Sequence, residues 1–209
     1  MIITLAHQKG GVGKSTLATN LAAILGADIL DLDLQRSCQL WNRSRKGAGL
    51  PELTCHAPNT AAEAKSIMGN YKGSNGLLVV DCGGFDSETN RVALALSNLI
   101  LTPVAPSQVE LYGLQNFMKI LKEASQNLGR EVVTNVVINN ADSRSKAAIE
   151  EVQAFIQSAN YLELMETVIH WRTDFKKAYA FGQSVIELNA KGKAATEITS
   201  LAAEIKSTF

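Results

Sequence analysis

The segment Lys9-Gly10-Gly11-Val12-Gly13-Lys14-Ser15-Thr16 concentrates the chemistry-bearing residues of this chain. It follows a short apolar run, Ile2 to Ala6, and precedes a pattern from Ser15 to Leu25 with Leu17, Leu21, Ile24 and Leu25 on one helical face. Glycines in such a loop let backbone N–H groups turn inward around an anion, and the helix N-terminus adds a favourable dipole. Lys14 has the reach to touch β- and γ-phosphates, and Ser15 can hold Mg²⁺. The strict phosphate-loop spacing G-x-x-x-x-G-K-[ST] is not met, because Gln8 occupies the place of its first glycine. The dinucleotide pattern G-x-G-x-x-G fails at Thr16.

Acidic residues stand where such a loop needs them. A second predicted strand, Ala27 to Leu32, runs into Asp31-Leu32-Asp33-Leu34-Gln35-Arg36-Ser37. The apolar run Leu77 to Val80 delivers Asp81, the pattern of a strand presenting one carboxylate to Mg²⁺. Cys82, Gly83 and Gly84 follow, a sequence suited to a mobile turn. Farther on, Val136 to Ile138 ends in Asn139 and Asn140; an amide at Asn139 either reads an adenine edge or caps the turn before Ser143.

These residues must be positioned by alternating elements. Continuous apolar strands, including Leu99 to Val104 and Val132 to Asn139, alternate with amphipathic helices such as Glu110 to Leu128 and Ser145 to Ser158. That alternation predicts an α/β fold: a mostly parallel twisted sheet with helices on both faces, in one domain over residues 1–209. Leu162 to Ile169 reads as one or two short strands, and Ala194 to Thr208 as a closing helix. With 46% hydrophobic and 19% charged residues the chain can bury a sizeable core. Lys+Arg and Asp+Glu are 20 each, so any nucleic-acid binding must come from a local patch. Cys38, Cys55 and Cys82 share no paired spacing, which predicts free thiols and a reducing compartment. His7, His56 and His170 are isolated and read as structural.

The loop, with its early lysine, resembles the deviant phosphate-binding motif K-G-G-x-G-K-[ST] of the ParA/MinD family of partitioning and positioning ATPases. Asp31 to Gln35 resembles that family's first switch, although Leu34 replaces its usual proline, and Thr102 to Ser107 resembles its P-V-x-P-S segment. Phe175 to Val185 is similar to the family's terminal region, which closes over the nucleotide. The resemblance implies a P-loop ATPase with ATP and Mg²⁺ as cofactors. It implies that Lys9 crosses a dimer interface to the partner's nucleotide, that Asp33 positions the attacking water, and that Asp31 supports the Mg²⁺ region held by Ser15 and Asp81. It also implies an ATP-dependent homodimer, non-specific DNA binding, and stimulation by a ParB-like or other cargo-adaptor protein.

The chain is expected to be cytoplasmic, nucleoid-associated when ATP-bound, and without the N-terminal DNA-reading extension of longer relatives. Arg144, Lys146, Arg172, Lys176 and Lys177 are the candidate DNA contacts, with Lys191 and Lys193 as further basic residues. A MinD-like membrane cycle is the alternative. It needs a basic amphipathic C-terminal helix, whereas residues 194–209 carry Glu197, Glu204 and only Lys206. A metal-cluster ATPase is disfavoured because no cysteine follows Cys82.

Overall fold

Sixteen elements follow one another in the computed structural model, which describes residues 1–208, with strands and helices alternating as far as α7. In order they are β1 (Ile2–Leu5), α1 (Lys14–Leu25), β2 (Asp28–Asp31), α2 (Ser37–Gly47), β3 (Cys55–His56), α3 (Ala61–Tyr71), β4 (Leu78–Asp81) and α4 (Glu88–Leu96). Then follow β5 (Leu99–Val104), α5 (Gln108–Leu128), β6 (Thr134–Ala141), α6 (Lys146–Ser158), β7 (Leu162–His170), α7 (Thr173–Ala180), α8 (Val185–Asn189) and α9 (Lys193–Ser207).

The strands form a seven-stranded sheet in the order β3-β2-β4-β1-β5-β6-β7, and every pairing is parallel. β1, β4 and β5 are buried along their whole length, and their mostly apolar residues suit strands covered on both faces. One layer of core joins Met68, Leu94, Leu114, Phe117 and Ile156 from α3 to α6. The other joins Leu17, Leu21, Trp41, Ala178, Ile198 and Ile205 from α1, α2, α7 and α9. The expected α/β sheet with helices on both faces is the observed one.

Of the one or two short strands expected over Leu162 to Ile169, the structure forms a single one, Leu162–His170, whose pairing with β6 slips at Val136/Ile138 and Ile138/Ala141. The short helix α8 has too few residues for a periodic signal. It is fixed instead by a capping box, in which Ser184 accepts the Glu187 N–H and Glu187 accepts the Ser184 N–H.

The apolar face of α9, with Ala194, Ala195, Ile198, Leu201, Ala202 and Ile205, is buried; α9 packs on α1 and β7. Its Glu204 accepts the N–H groups of Glu166 and Thr167, and its Glu197 accepts that of His170. Those carboxylates occupy donors of the edge strand that another chain could otherwise pair with. No helix among the described residues is long and apolar enough to cross a membrane.

Candidate nucleotide site

Parallel pairing brings the predicted residues to one sheet edge. Asp31 lies opposite Asp81 in the β2–β4 register, and Leu5 lies opposite Asp81 in the β1–β4 register. The loop leaving β1 therefore emerges beside both carboxylates, at the carboxyl edge where open α/β sheets bind ligands. On its other side, β5 leads into Glu110 of α5, and β6 ends at Asn139 and Asn140.

Within the loop, Gly13 has φ of 97°, and a Cβ there would stand 2.3 Å from the Asn139 Nδ2. Only glycine fits that combination of backbone angle and close approach. The Asn139 amide donates to the Val12 carbonyl at 2.7 Å, so its present role is to brace the loop. Lys14 is almost fully buried, and its ammonium donates to the Lys9 carbonyl at 2.9 Å. Burial lowers the Lys14 pKa, opposed by the charge of Asp81. A buried ammonium with one neutral acceptor is poised for an anion.

The carboxylates divide their work. Asp81 is fully buried; Cys38 Sγ donates to its Oδ2 at 3.2 Å, and its Oδ1 has no partner. Desolvation pushes its pKa to about 7, opposed by the neighbouring Ser15 hydroxyl and by the Cys38 hydrogen bond. An orphaned carboxylate oxygen beside the Ser15 hydroxyl fits a Mg²⁺ ion, which prefers oxygen ligands. Asp31 is also fully buried, but both its oxygens accept backbone N–H groups, from Asp33 at 3.1 Å and Gln39 at 3.0 Å. Asp31 thus anchors the start of α2 and shapes the loop carrying Asp33. Asp33 is half-buried, and its Oδ1 accepts the Gln35 N–H.

Lys9 points away from its own loop. Its ammonium pairs with Glu110 at 2.5 Å while its side chain stays 38% exposed. Exposed apolar side chains stand in sequence beside the site residues: Leu34 after Asp33, Phe85 after Gly84, and Val109 and Tyr112 on either side of Glu110. Gly84 packs so closely on the loop that a Cβ would meet the Gly10 nitrogen at 3.1 Å.

A cleft of about 450 Å³ opens beside the loop, bounded by Gly13, Thr16, Asn139, Trp171, Phe175 and Tyr179. Its wall includes Phe175 and Tyr179, from the segment that the resemblance places over a nucleotide. Tyr179 donates to the Ser37 carbonyl, and Trp41 donates to the Gln183 carbonyl. Buried Arg45 forms a two-pronged pair with Glu187 and also donates to the Gly182 carbonyl. These bonds tie α7 and α8 to α2, behind the first switch. Arg45 carried no signal in the sequence beyond its charge.

The candidate DNA contacts differ in what already engages them. Arg172 is held by Glu197 and lines the cleft, and Lys176 lies over the Trp171 ring at 5.9 Å and also lines it. Arg144 pairs with Asp142 but remains 89% exposed. Lys146 and Lys177 are exposed.

A phosphate-cradling loop between a central parallel strand and a helix, with a buried carboxylate alongside, defines a P-loop nucleotide-binding protein. Residues 3–185 match the family model described as the CobQ/CobB/MinD/ParA nucleotide binding domain, and the chain belongs to that family. It is 26% identical to the Maintenance of carboxysome distribution protein A of Halothiobacillus neapolitanus (strain ATCC 23641 / c2), over 97% of this chain and 95% of that one. Its fold is similar to that of apo McdA from Cyanthece, with TM-score 0.78, 14% identity and 98% of each chain covered. It is also similar to the septum site-determining protein MinD with Mg-ADP from Pyrococcus horikoshii OT3, with TM-score 0.72, 17% identity, and 98% and 95% coverage.

Proposed function

We propose that this protein is an ATP-hydrolysing switch that dimerises around two nucleotides, binds DNA non-specifically as the dimer, and positions a plasmid, chromosome or protein cargo. The observation that carries the reading is the placement of Lys9. The Lys14 ammonium turns into the protein's own loop, whereas the Lys9 ammonium leaves the loop for Glu110 on α5 with its side chain 38% exposed, suited to meet a second copy.

In this reading the triphosphate lies in the loop with its β- and γ-phosphates against Lys14, and its base enters the cleft near Asn139, Phe175 and Tyr179. Ser15 and Asp81 hold Mg²⁺, which supplies charge neutralisation at the phosphates. Asp33 orients the attacking water, Asp31 fixes the loop that carries Asp33, and the partner's copy of Lys9 stabilises charge developing on the γ-phosphate. Hydrolysis removes the group that both subunits grip, so the dimer parts.

Cargo positioning rests on the similarity to the carboxysome distribution relative. A cargo-bound adaptor, ParB-like or otherwise, is the expected activator. The MinD-like membrane cycle gains no support, because the α9 apolar face is already packed.

Light scattering on an Asp33→Ala variant with ATP and Mg²⁺ tests the reading, with ADP as control. A dimer with ATP alone is expected; a monomer at saturating ATP overturns it.

A further inference from the structure

Beneath the loop lies a small pocket of about 20 Å³, lined by His7, Gly83, Phe85, Asn90 and Phe117 among others. That is room for about one water molecule. Two of its lining residues carry buried orphan atoms of opposite kind. His7 Nδ1 accepts the Lys9 N–H at 2.9 Å, so a neutral ring carries its proton on Nε2. Burial, with the charges of Lys14 and Lys9, lowers the His7 pKa to about 4, which keeps the ring neutral. The buried Nε2 has no acceptor among the described residues. The Asn90 Nδ2 donates to the carbonyls of Phe85 at 2.6 Å and Gly83 at 3.2 Å. Its Oδ1 is left buried without a donor. An unpaired donor and an unpaired acceptor on one water-sized cavity satisfy each other through a water.

We propose that His7 and Asn90, joined by one buried water, are positioning residues that couple the Gly83–Phe85 turn to the backbone of Lys9. The coupling to hydrolysis rests on the ATPase reading above; the water bridge does not.

The Lys9 backbone is held on both sides of its Cα, its N–H by His7 and its carbonyl by the Lys14 ammonium. When Lys14 turns to a phosphate, the carbonyl is released and the His7 bond to the N–H remains. A shift of the Gly83–Phe85 turn then acts on Asn90, on the water and on the His7 ring. His7 is also in contact with the helix that holds the Lys9 side chain. A Cβ at Gly113 would stand 3.1 Å from His7 Cε1 and 3.9 Å from Lys9 Cδ, and Glu110 lies one turn earlier. The same ring thus touches the backbone of Lys9 and the α5 surface beside Glu110.

Two substitutions separate the bonds. His7→Asn keeps an acceptor where Nδ1 stands but cannot reach the water, and His7→Gln reaches the water but loses the acceptor. Both variants are expected to bind ATP as the unaltered protein does, while kcat falls about tenfold at unchanged KM. Turnover equal to that of the unaltered protein in both variants overturns the coupling, as does a loss that only tracks ATP affinity or melting temperature.

Nitrogen-15 histidine spectra read the bridge without turnover. His7 should show the Nε2–H tautomer with a slowly exchanging ring proton, shifted by a non-hydrolysable ATP analogue in the unaltered protein but not in Asn90→Ala. An Nδ1–H tautomer, or a freely exchanging ring proton, overturns the bridge. Failure of the protein to bind any ATP analogue would instead overturn the ATPase reading and leave the tautomer result standing.

Discussion

The Lys9 ammonium and the Glu110 carboxylate meet at 2.5 Å within one subunit, so the lysine that could reach a second copy is first held at home. Glu110 is nearly buried, and its other oxygen has no partner, so the pair is only partly screened. Substituting Glu110→Gln weakens that hold without removing the side chain. ATP-dependent dimerisation should tighten about three- to fivefold, corresponding to roughly 1 kcal/mol for a partly exposed pair. Lys9→Ala should act oppositely, keeping ATP binding but losing the dimer and about a thousandfold in turnover. Sedimentation velocity across a concentration series separates the two signs, and a Glu110→Gln variant that dimerises more weakly would refute the holding role.

Gly13 and Asn139 should behave as one unit. Gly13→Ala combines a left-handed backbone angle with a methyl 2.3 Å from the Asn139 amide nitrogen. Its expected cost is about 1–3 kcal/mol of stability, with a clear loss of ATP affinity. Asn139→Ala removes the bond to the Val12 carbonyl and should cost about 1–2 kcal/mol. The double variant should lose less than the sum, because the second change clears space for the first. Thermal melts and titration with a fluorescent ATP analogue provide both readings; strict additivity would show that the two sites act apart.

Asp81 gives a pH prediction. Its folded-state pKa is raised to about 7 by burial. For a carboxyl group raised on folding, the native state binds more protons than the unfolded chain between the two pKa values, so stability falls as pH rises through that window. Without nucleotide or Mg²⁺, Asp81→Asn should remove this contribution. The variant should gain most at pH 8 and little at pH 4, with a melting temperature at pH 8 about 4–8 °C above that of the unaltered protein. Calorimetry at both pH values checks it; an equal shift at each pH would show that ionisation of Asp81 is not the cause.

Much of this site was legible because its signals are local. The loop, Asp31, Asp33 and Asp81 each stand next to the strand that delivers them, and strand ends in a parallel sheet share an edge whatever the crossover lengths. The roles within that edge were less legible. Asp31 and Asp81 look alike as strand-end aspartates, yet one meets two backbone N–H groups and the other keeps a bare oxygen. That difference depends on where α2 begins, not on either residue. Glu110 and Arg45 carried no signal at all, since each acquires its partner across more than a hundred residues of chain. His7 read as an isolated histidine for the same reason: Asn90 reaches its cavity only after β4 and α4 have packed beside β1.

The basic residues make the last prediction, because the structure separates those that could meet a phosphate backbone from those already engaged. Lys146 and Lys177 are exposed, whereas Arg172 is gripped by Glu197 at 2.5 Å and lines the cleft beside the loop. Counterion release makes log affinity for duplex DNA fall with log salt by about 0.9 per phosphate neutralised. Lys146→Glu combined with Lys177→Glu should therefore flatten that slope by about 2 per subunit and weaken binding to every duplex alike, leaving ATP affinity unchanged. Arg172→Ala should do the reverse, weakening ATP binding while leaving the DNA salt slope intact when dimers are compared at matched nucleotide occupancy. Fluorescence anisotropy of a labelled duplex over a salt series, with ATP present, measures both. A slope that falls in Arg172→Ala and holds in the lysine double variant would move the DNA surface to the mouth of the cleft.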